Sequence, residues 1–419
     1  MKILISAYAC EPGRGTELGV GWNTVREVAR HHEVWVLTRP DDGREAIEAE
    51  LARNPVSNLH FVYFTLPIWG GGWKWGQGAF QIHYYLWQIV AYFVARKLHR
   101  EIGFDIAHHV TFVKYSTPSF LSLLPIPFIF GPVGGGEVAP KPFYRDFSRR
   151  AKIYEFLRDA TRWSGKIDPF TRMTVCRSVI AWATTADTAK CLKAMGGINV
   201  QVLSQVGLLP EEVAQLEQFS VLEPVPLRFI SIGRFLHWKG FHLGLQAFAE
   251  ADLPSEAEYW IVGKGPEEAA LHALAKDLRI VTQVKFFPEM PRTDLMHKLG
   301  TCLALVHPSL HDSGAFVCLE AMAAGRPVIC LDLGGPAVQV TEETGFKIAA
   351  TDPETAIAGM AAAMTRLATE PELRSRLGAA GRKRVKELFN WSTKGQLLSQ
   401  VYETLRSHQG GADADSSRS

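Results

Sequence analysis

The sequence has few of the features that define disulfide-rich or metal-stapled proteins. Its 419 residues contain only six cysteines, and none of them forms a CxxC pair or follows a regular spacing. Disulfide frameworks and zinc sites both need such spacing, so we predict reduced, packed thiols of the cytosolic kind. Residues 1–12 also lack the long apolar core of a signal peptide, which predicts a cytoplasmic protein.

An excess of charge of one sign is also lacking. The formal net charge is only +2, and a nucleic-acid partner would need Lys and Arg clustered along one face.

Long apolar runs are scarce as well. Residues 76–95 carry no charge and approach membrane-span length, but a polar stripe at helical spacing predicts a half-buried helix instead. That stripe consists of Gln81, Tyr85, Gln88 and Tyr92.

Peripheral membrane contact stays open as an alternative for one loop. Residues 69–78 are rich in Gly and Trp and precede the uncharged helix. Aromatic side chains of this kind can touch a lipid-linked ligand or the inner face of a membrane. Packing against the first sheet is the alternative interpretation.

What the sequence does contain is a repeated pattern of short apolar strand, glycine or proline loop, and helix. This βα repetition predicts α/β domains with parallel sheets and right-handed crossovers, and the length suggests two or three domains. We predict a first domain at 1–208, a connection at 207–226, a second domain at 225–388, a last helix at 389–408 and a disordered tail at 409–419.

Two features of the first half follow apolar strands. A glycine-rich turn at 10–22, including Gly15 and Gly19, either lets the backbone approach a ligand or only relieves backbone strain. His108 and His109 end a later strand, at the edge where parallel sheets bind ligands. Because side chains alternate along a strand, only one of the two histidines should face a ligand.

The second half opens with a strand that delivers two cations. Arg234 and Lys239 lie on the glycine-flanked loop after residues 227–232, just before a helix. Two cations on a strand-to-helix loop suit a diphosphate that gains negative charge. The alternative is a pair of solvated surface cations, which is the common situation for Lys and Arg.

The stretch from His307 to Gly335 places two carboxylates around a strand, a loop and a helix. Asp312 precedes the helix and Glu320 lies within it. A helix N-terminus at the carboxyl end of a parallel strand binds anions, so this stretch predicts an anion-binding pocket, and it looks like one for a nucleotide sugar. For Asp312, an N-cap of the following helix is the alternative role.

These motifs together resemble the retaining glycosyltransferases of family 4. GRFxxWKG, VGKGP, HPSxxD and LEAMAAGRPVIC occur in the family's order between Gly233 and Gly345. The resemblance implies the GT-B fold, in which two Rossmann-like βαβ domains face a cleft and the C-terminal helix crosses back to the first domain. The first domain would bind the acceptor and the second the donor.

The resemblance also implies roles for individual residues. Arg234 and Lys239 would bind the diphosphate, Glu320 the ribose, and His109 or its neighbour His108 the transferred sugar. Asp312 stands where the family usually has Glu, and the adjacent histidines replace a frequent His-x-His. Further binding residues implied are Gly15, Gly19, Gly233, Gly263, Gly265, Met290, Pro291, Arg292, Ser313, Gly314, Ala315, Phe316 and Leu319.

The reaction implied is transfer of a sugar from a nucleoside diphosphate sugar to a hydroxyl, with retention. No metal is expected, because two cations and a helix N-terminus already neutralise the leaving group. No cofactor is expected either, because the nucleoside diphosphate sugar is a co-substrate. The acceptor would be a glycan, a lipid-linked sugar or a small molecule. Alternatives are a GT-B sugar phosphorylase, a nucleotide-sugar epimerase, or a non-catalytic protein that binds nucleotide sugars or glycans.

Overall fold

The computed structural model describes residues 1–15, 17–41, 43–66, 77–219 and 226–416. Most of the Gly/Trp loop predicted at 69–78 lies outside this range. The chain forms two compact units. Unit 1 comprises residues 1–136, 159–205 and 391–419, and unit 2 comprises 137–158 and 206–390.

Thirteen strands are present in the described part of the chain. In chain order they are β1 Lys2–Ser6, β2 Glu33–Thr38, β3 Leu59–Tyr63, β4 Ile106–His109, β5 Phe128–Val133, β6 Ile180–Ala183, β7 Val200–Val202, β8 Arg228–Ile232, β9 Glu258–Val262, β10 Val284–Phe287, β11 Ala304–His307, β12 Val328–Leu331 and β13 Gly345–Ile348.

Fifteen α-helices accompany these strands in the same described ranges. They are α1 Glu17–Ala29, α2 Arg44–Arg53, α3 Gln77–Ile102, α4 Arg149–Ile167, α5 Pro169–Arg177, α6 Ala186–Ala194, α7 Pro210–Glu217, α8 Phe241–Glu250, α9 Glu268–Asp277, α10 Arg292–Gly300, α11 Phe316–Ala323, α12 Gly334–Gln339, α13 Pro353–Thr369, α14 Pro371–Leu388 and α15 Trp391–Ser416. No helix among the described residues is both long and apolar enough to cross a membrane.

The two units contain sheets of the same topology. Unit 1 has the strand order β3-β2-β1-β4-β5-β6-β7, and unit 2 has β10-β9-β8-β11-β12-β13. The strand pairs are parallel, for example Ile3 with Val34 in unit 1 and Ile230 with Trp260 in unit 2. The predicted parallel Rossmann-like sheets are therefore confirmed. In each unit the order reverses beside the first strand, and ligands of such sheets bind at that switch point.

Helices cover both faces of each sheet. In unit 1, Ile3 and Ile5 pack with α1 and α15 on one face, while Leu4 packs with α3 on the other. This alternation follows from the period of two along a strand. Tyr402 of α15 is completely buried there. The last helix therefore belongs to the core of unit 1.

The glycine-rich turn is shorter than predicted. Helix α1 begins at Glu17, whereas the sequence suggested a start near Asn23. Gly19 lies inside the helix, and a Cβ there would fall 1.6 Å from the carbonyl oxygen of Arg14. Gly19 is thus explained by the close packing of the preceding loop against the helix, while a Cβ on Gly15 would meet only open space.

Two segments belong to unit 2 although the sequence analysis placed them elsewhere. Residues 137–158 lay within the predicted first domain, but Phe143, Phe147 and Ala151 are buried in the core of unit 2. Part of the predicted connection is helix α7, whose Val213 and Leu216 are buried in the same unit. Residues 220–225 of that connection lie outside the described range.

Three smaller predictions need correction. Helix α3 is half-buried as predicted, with Tyr84 and Trp87 buried, but its polar stripe is not its most exposed side, because Gln88 is buried while Ile82 and Phe93 are exposed. Helix α15 continues to Ser416, beyond the predicted end at 408, since small and polar residues can extend a helix already anchored by its packed turns. No cysteine in the described ranges forms a disulfide, but Cys176 is exposed rather than packed.

Candidate functional site

Two strand-end loops meet at the switch point of unit 2. The loop after β8 carries Arg234 and Lys239, and the loop after β11 carries Asp312. The backbone N–H of Leu310 donates to the carbonyl oxygen of Trp238 at 2.8 Å. At Gly240 (φ +67°), a Cβ would lie 2.0 Å from the carbonyl oxygen of Pro308. Only glycine permits this approach, which brings the predicted cations beside the predicted carboxylate.

Lys239 and Asp312 form a partly buried ion pair. The Lys239 Nζ lies 2.5 Å from Oδ2 of Asp312, and Nε2 of His307 lies 3.3 Å from the same oxygen without hydrogen-bond geometry. Burial by itself would raise the pKa of Asp312, but Lys239 and His307 lower it far below its usual range. Asp312 therefore stays ionised and holds the lysine ammonium in place.

Arg234 is the second cation at this edge. Its side chain is exposed, and within the described residues it has no ion-pair or hydrogen-bond partner. The two cations thus differ in state, because Lys239 is held by a carboxylate and Arg234 is free to bind an anion. A guanidinium suits the oxygen pairs of a phosphate.

The loop from Asp312 to Ala315 is held by its backbone. The N–H of Gly335 donates to the carbonyl oxygen of Asp312 at 2.6 Å, and the side-chain amide of Gln339 donates to the carbonyl oxygen of Gly314. Ala315 is the N-cap of α11 with φ +50°, a rare conformation for alanine. Such strain is typical of ligand sites. The N-cap alternative for Asp312 is therefore wrong.

The amino end of α11 leaves backbone N–H groups for an anion. Ser313, Gly314 and Phe316 are partly exposed around this terminus. The first N–H groups of a helix have no partner within the helix, and the helix dipole adds partial positive charge there. Leu319 is buried in the core, so its side chain packs inside the unit and faces no ligand.

Glu320 is engaged by Arg292, which the resemblance implies as a further binding residue. Both Nε and Nη2 of Arg292 donate to Oε1 of Glu320, at 3.1 and 2.7 Å, and Nη1 donates to Glu212. Burial raises the pKa of Glu320 in spite of this cation. In the described part of the structure, Oε2 of Glu320 has no hydrogen-bond partner and can accept from a ligand.

A buried carboxylate that the sequence analysis missed joins the two loops. Glu155 of α4 is fully buried, and its Oε1 accepts from Nε2 of His237 at 2.9 Å and from Nε2 of His311 at 3.1 Å. Burial opposes ionisation, but the two histidines and Arg158 lower the pKa of Glu155 well below its usual range. His237 lies beside Lys239 and His311 beside Asp312, so Glu155 ties both loops together.

We expect Glu155→Gln to lower the free energy of unfolding by about 1–3 kcal/mol, because two hydrogen bonds to a charged acceptor are weakened. Loosened loops should also weaken binding of a diphosphate ligand several-fold. Urea unfolding and ligand titration measure the two effects. The matched control is Asp159→Asn, on the partly exposed side of the same helix. Equal effects of both variants would contradict a positioning role for Glu155.

The glycines after β8 and β9 have a structural explanation. A Cβ on Gly263 would lie 2.0 Å from the carbonyl oxygen of Gly233, and one on Gly265 would lie 2.5 Å from that of Phe235. Adjacent loops therefore pack backbone to backbone. Met290 packs against the core and Pro291 caps α10. These positions shape the edge of the site.

The two histidines of β4 have different surroundings. In His108, Nε2 donates to the carbonyl oxygen of Gly131 at 2.7 Å and Nδ1 accepts from the Tyr402 hydroxyl at 2.6 Å. Nδ1 thus fastens α15 to the sheet and Nε2 bonds to the neighbouring strand β5, which leaves His108 no nitrogen for a sugar. His109 contacts the Tyr84 hydroxyl through Nε2 at 3.2 Å, and its Nδ1 has no partner in the described residues.

His109 is neutral in this setting. It is completely buried at the carboxyl end of β4, and burial lowers its pKa to about 3. A neutral imidazole with one unpartnered nitrogen can donate or accept a hydrogen bond. Of the two candidates, His109 therefore keeps the capacity to bind.

Two pockets among the described residues lie away from the loops of Arg234 and Asp312. One of about 540 Å³ lies at the amino ends of β1 and β2, lined by Lys2, His32, Glu33 and others. Ligands of parallel sheets bind at the opposite edge, so we assign the site from its chemistry and not from pocket size. A pocket of about 310 Å³ borders Arg292.

Comparison with known proteins gives one family. Residues 215–384 match the family described as glycosyl transferases group 1. The glycogen synthase of Mycobacterium tuberculosis H37Rv is 29% identical over 179 residues, which cover 42% of this chain and 42% of that protein. The lipopolysaccharide core biosynthesis glycosyltransferase LpsD of Rhizobium meliloti is 31% identical over 161 residues, covering 38% and 45%. The chain spans less than half the length of these curated relatives.

Solved structures match almost the whole chain, but at lower sequence identity than the curated relatives. HepE of Anabaena, in complex with UDP and glucose, has a TM-score of 0.58 at 15% identity, covering 96% of this chain and 100% of that one. The sucrose-phosphate synthase of Thermosynechococcus elongatus has a TM-score of 0.63 at 19% identity, covering 97% and 99%. At these identities the likeness shows the fold, which is GT-B.

Proposed function

We propose, from the premise that residues 215–384 belong to the glycosyl transferases group 1 family, that this protein transfers a sugar from a nucleoside diphosphate sugar to an acceptor hydroxyl. The observation that carries the proposal is the pairing of Lys239 with Asp312 at the switch point of unit 2, beside Arg234, which has no partner in the part of the chain that the structure describes. Two cations next to a helix N-terminus form a site for a diphosphate.

The donor would lie along the carboxyl edge of the second sheet. Arg234 and Lys239 would hold the diphosphate, and the N–H groups at the start of α11 would meet its oxygens or the sugar. Glu320 would accept from a ribose hydroxyl through Oε2, while Arg292 holds Oε1. A carboxylate held in this way is oriented before the ligand arrives, which favours binding.

The chemical step would retain the configuration at the anomeric carbon. The bond from that carbon to the phosphate oxygen breaks, and a bond to the acceptor oxygen forms on the same face. The acceptor proton passes to a phosphate oxygen of the leaving nucleoside diphosphate. Arg234 and Lys239 would stabilise the negative charge that the diphosphate gains. Such electrostatic stabilisation is usually the largest single contribution to lowering the barrier of the reaction. No metal ion is required in this scheme.

Further assignments concern the transferred sugar and the acceptor. His109 is proposed to contact the transferred sugar because, within the described residues, its Nδ1 at the end of β4 lacks a partner. Asp312 is proposed to position Lys239, and through it the diphosphate. The acceptor is proposed to be a glycan, a lipid-linked sugar or a small molecule. One relative is a mannosyltransferase named for a monoacylated phosphatidylinositol monomannoside.

Donor binding tests the proposal. We would screen UDP-, GDP- and ADP-sugars by thermal shift and then measure hydrolysis or transfer by mass spectrometry. With the donor found, Glu320→Gln should weaken binding about 10- to 100-fold, because a hydrogen bond to a charged acceptor is lost. The matched control is the exposed Glu372→Gln on α14, which should bind normally.

Each rival function gives a different result in this experiment. Sugar release that depends on inorganic phosphate indicates a phosphorylase, and conversion of the donor without an acceptor indicates an epimerase. Donor binding without turnover across an acceptor panel indicates a non-catalytic binder. Full affinity of Glu320→Gln would remove Glu320 from the donor site.

A further inference from the structure

Two loops of unit 1 meet at the switch point of its sheet, between β1 and β4. After β1, the N–H of Ala9 donates to the Thr111 hydroxyl at 3.1 Å. After β4, the N–H of Phe112 donates to Oε2 of Glu17 at 3.3 Å. A Cβ on Gly21 would lie 2.2 Å from the carbonyl oxygen of Ala9, so α1 packs closely against the loop before it. These contacts fix Glu17, the first residue of α1, at the edge where parallel sheets bind ligands.

Phe112 has a backbone conformation that needs support from its surroundings. Its φ is +54°, in the left-handed region that a bulky side chain seldom adopts. The ring packs against Tyr8 with centroids 5.6 Å apart and against Phe80 at 5.3 Å. Phe112 and Phe80 are partly exposed, whereas Tyr8 is completely buried. A strained residue that presents an aromatic ring at a ligand edge is typical of a binding site.

Glu17 is a partly buried carboxylate with unused acceptor capacity. A carboxylate offers about four acceptor positions. Among the described residues, the Phe112 N–H and the Gln205 amide donate to it. Burial raises the pKa of Glu17, while the Phe112 N–H, Lys114 and the Gln205 amide oppose that rise. A further donor, such as a hydroxyl group, would therefore stabilise the carboxylate.

We propose that Glu17 and Phe112 form an acceptor subsite that binds a sugar ring. Glu17 accepts hydrogen bonds from ring hydroxyls, and the exposed side of the Phe112 ring packs against the C–H groups of the sugar. Phe80 extends this apolar surface. The acceptor is accordingly a sugar, either in a free glycan or at the head of a lipid, and not a small molecule that lacks a sugar ring. This inference rests on the proposed sugar transfer, because it names the acceptor of that reaction.

A purely structural role for Glu17 is the alternative. The carboxylate would then only hold the N–H of Phe112, and Gln, which can still accept that bond, would replace it with little effect. A binding role predicts a loss specific to the acceptor, because a neutral amide oxygen is a weaker acceptor than a carboxylate. The KM for the acceptor, compared with donor affinity and turnover, distinguishes the two roles.

Acceptor kinetics with the full chain and the donor identified by screening test the proposal. The probes are the methyl and octyl glycosides of glucose, galactose, mannose and N-acetylglucosamine. Glu17→Gln should raise the KM for an accepted glycoside about tenfold or more, because a charge-assisted hydrogen bond is weakened. Donor affinity and donor hydrolysis without acceptor should stay at the wild-type level. Transfer to methyl and octyl glycosides alike indicates a free glycan, and transfer to octyl glycosides alone indicates a lipid-linked sugar.

Phe112→Gly is the second variant. Glycine adopts a positive φ without strain, so the relieved strain offsets part of the packing lost with the ring. We expect a folded protein by urea unfolding and a KM for the acceptor raised about tenfold or more. The matched controls Glu101→Gln and Phe93→Ala, at exposed positions of α3, should leave that KM unchanged. An unchanged KM in both Glu17→Gln and Phe112→Gly, or an equal loss of donor affinity, would overturn the subsite.

Binding without turnover separates this inference from the proposed function. Saturation-transfer NMR detects the same glycosides on wild type and on Glu17→Gln without a donor. Wild type that turns over no donor, yet binds a glycoside that the variant does not bind, would refute sugar transfer and leave a sugar-binding site. Transfer by wild type with equal glycoside affinity in both proteins would refute the subsite and leave sugar transfer standing. Neither binding of nor transfer to any glycoside would also overturn the subsite.

Discussion

Lys239→Ala is expected to lower sugar-transfer turnover about 100- to 1,000-fold, while donor affinity changes less. The lysine ammonium interacts more strongly with the diphosphate as that group takes on charge, so its removal costs most in the transition state. Steady-state kinetics with the donor identified by screening measures the loss. Lys383→Ala, an exposed lysine on α14, is the matched control.

A loss of folding would imitate this result, and a second variant excludes it. Removing Lys239 leaves Asp312 without its cation. Breaking an ion pair in this way costs about 3–5 kcal/mol when the pair is fully buried, and this partly buried pair should cost less. Lys239→Ala/Asp312→Asn removes both charges and should restore stability without restoring turnover. Recovery of turnover in the double variant would show that Lys239 acts only on the fold.

Arg234→Ala provides the same comparison without a stability effect. The arginine is exposed and has no partner in the described residues, so its removal leaves no buried group unpaired. We expect unchanged unfolding and reduced turnover. Unchanged turnover in both Arg234→Ala and Lys239→Ala would refute the diphosphate assignment.

Lys394→Met is expected to raise the free energy of unfolding at pH 7 by about 2–4 kcal/mol. Lys394 of α15 is buried and donates only to the carbonyl oxygen of Ser204 among the described residues, with the Trp391 ring 5.5 Å away. Burial lowers its pKa to about 7. Folding therefore removes a proton from this lysine or buries an uncompensated cation, and methionine avoids both costs.

The pH dependence of that gain identifies its cause. Above pH 7 the folded protein holds Lys394 neutral, while the unfolded chain keeps it protonated up to about pH 10. Unfolding then takes up a proton, so the wild type gains about 1.4 kcal/mol per pH unit from this group as pH rises through that window. The advantage of Lys394→Met should shrink accordingly.

Urea unfolding of both proteins between pH 7 and pH 9.5 measures this difference. Buried cysteines and tyrosines also titrate there, but they contribute equally to both proteins and cancel. Lys190→Met, at an exposed lysine of unit 1, should show no such slope. An advantage that stays constant with pH would mean that Lys394 acts through packing alone.

The charged residues of the candidate site in unit 2 could be found in the sequence, because their positions follow from the local order of strands and loops. The loop of Arg234 and Lys239 follows one apolar run and Asp312 follows another, and parallel strands place both loops at one edge. The parallel sheets follow from the same repetition. The proximity of Lys239 to Asp312 could thus be anticipated.

Other assignments could not be decided where two roles share one local pattern. Adjacent histidines at a strand end look alike in sequence, yet His108 is consumed by Tyr402 and Gly131, while His109 keeps one free nitrogen in the described structure. Arg292 is implied by the resemblance as a binding residue, but its bond to Glu320 was not visible in the sequence. Tyr402 lies almost three hundred residues from His108, so no local signal could reveal the bond.

The sequence by itself determined the parallel βα architecture, the two cations and the carboxylates, because periodicity and turn residues act over a few residues. Only the tertiary structure decided which groups pair and which remain free for a ligand. It placed residues 137–158 in unit 2 and buried Glu155 between His237 and His311. These outcomes depend on contacts between distant segments, and hydrophobic pattern alone does not say which side of a helix will find a partner.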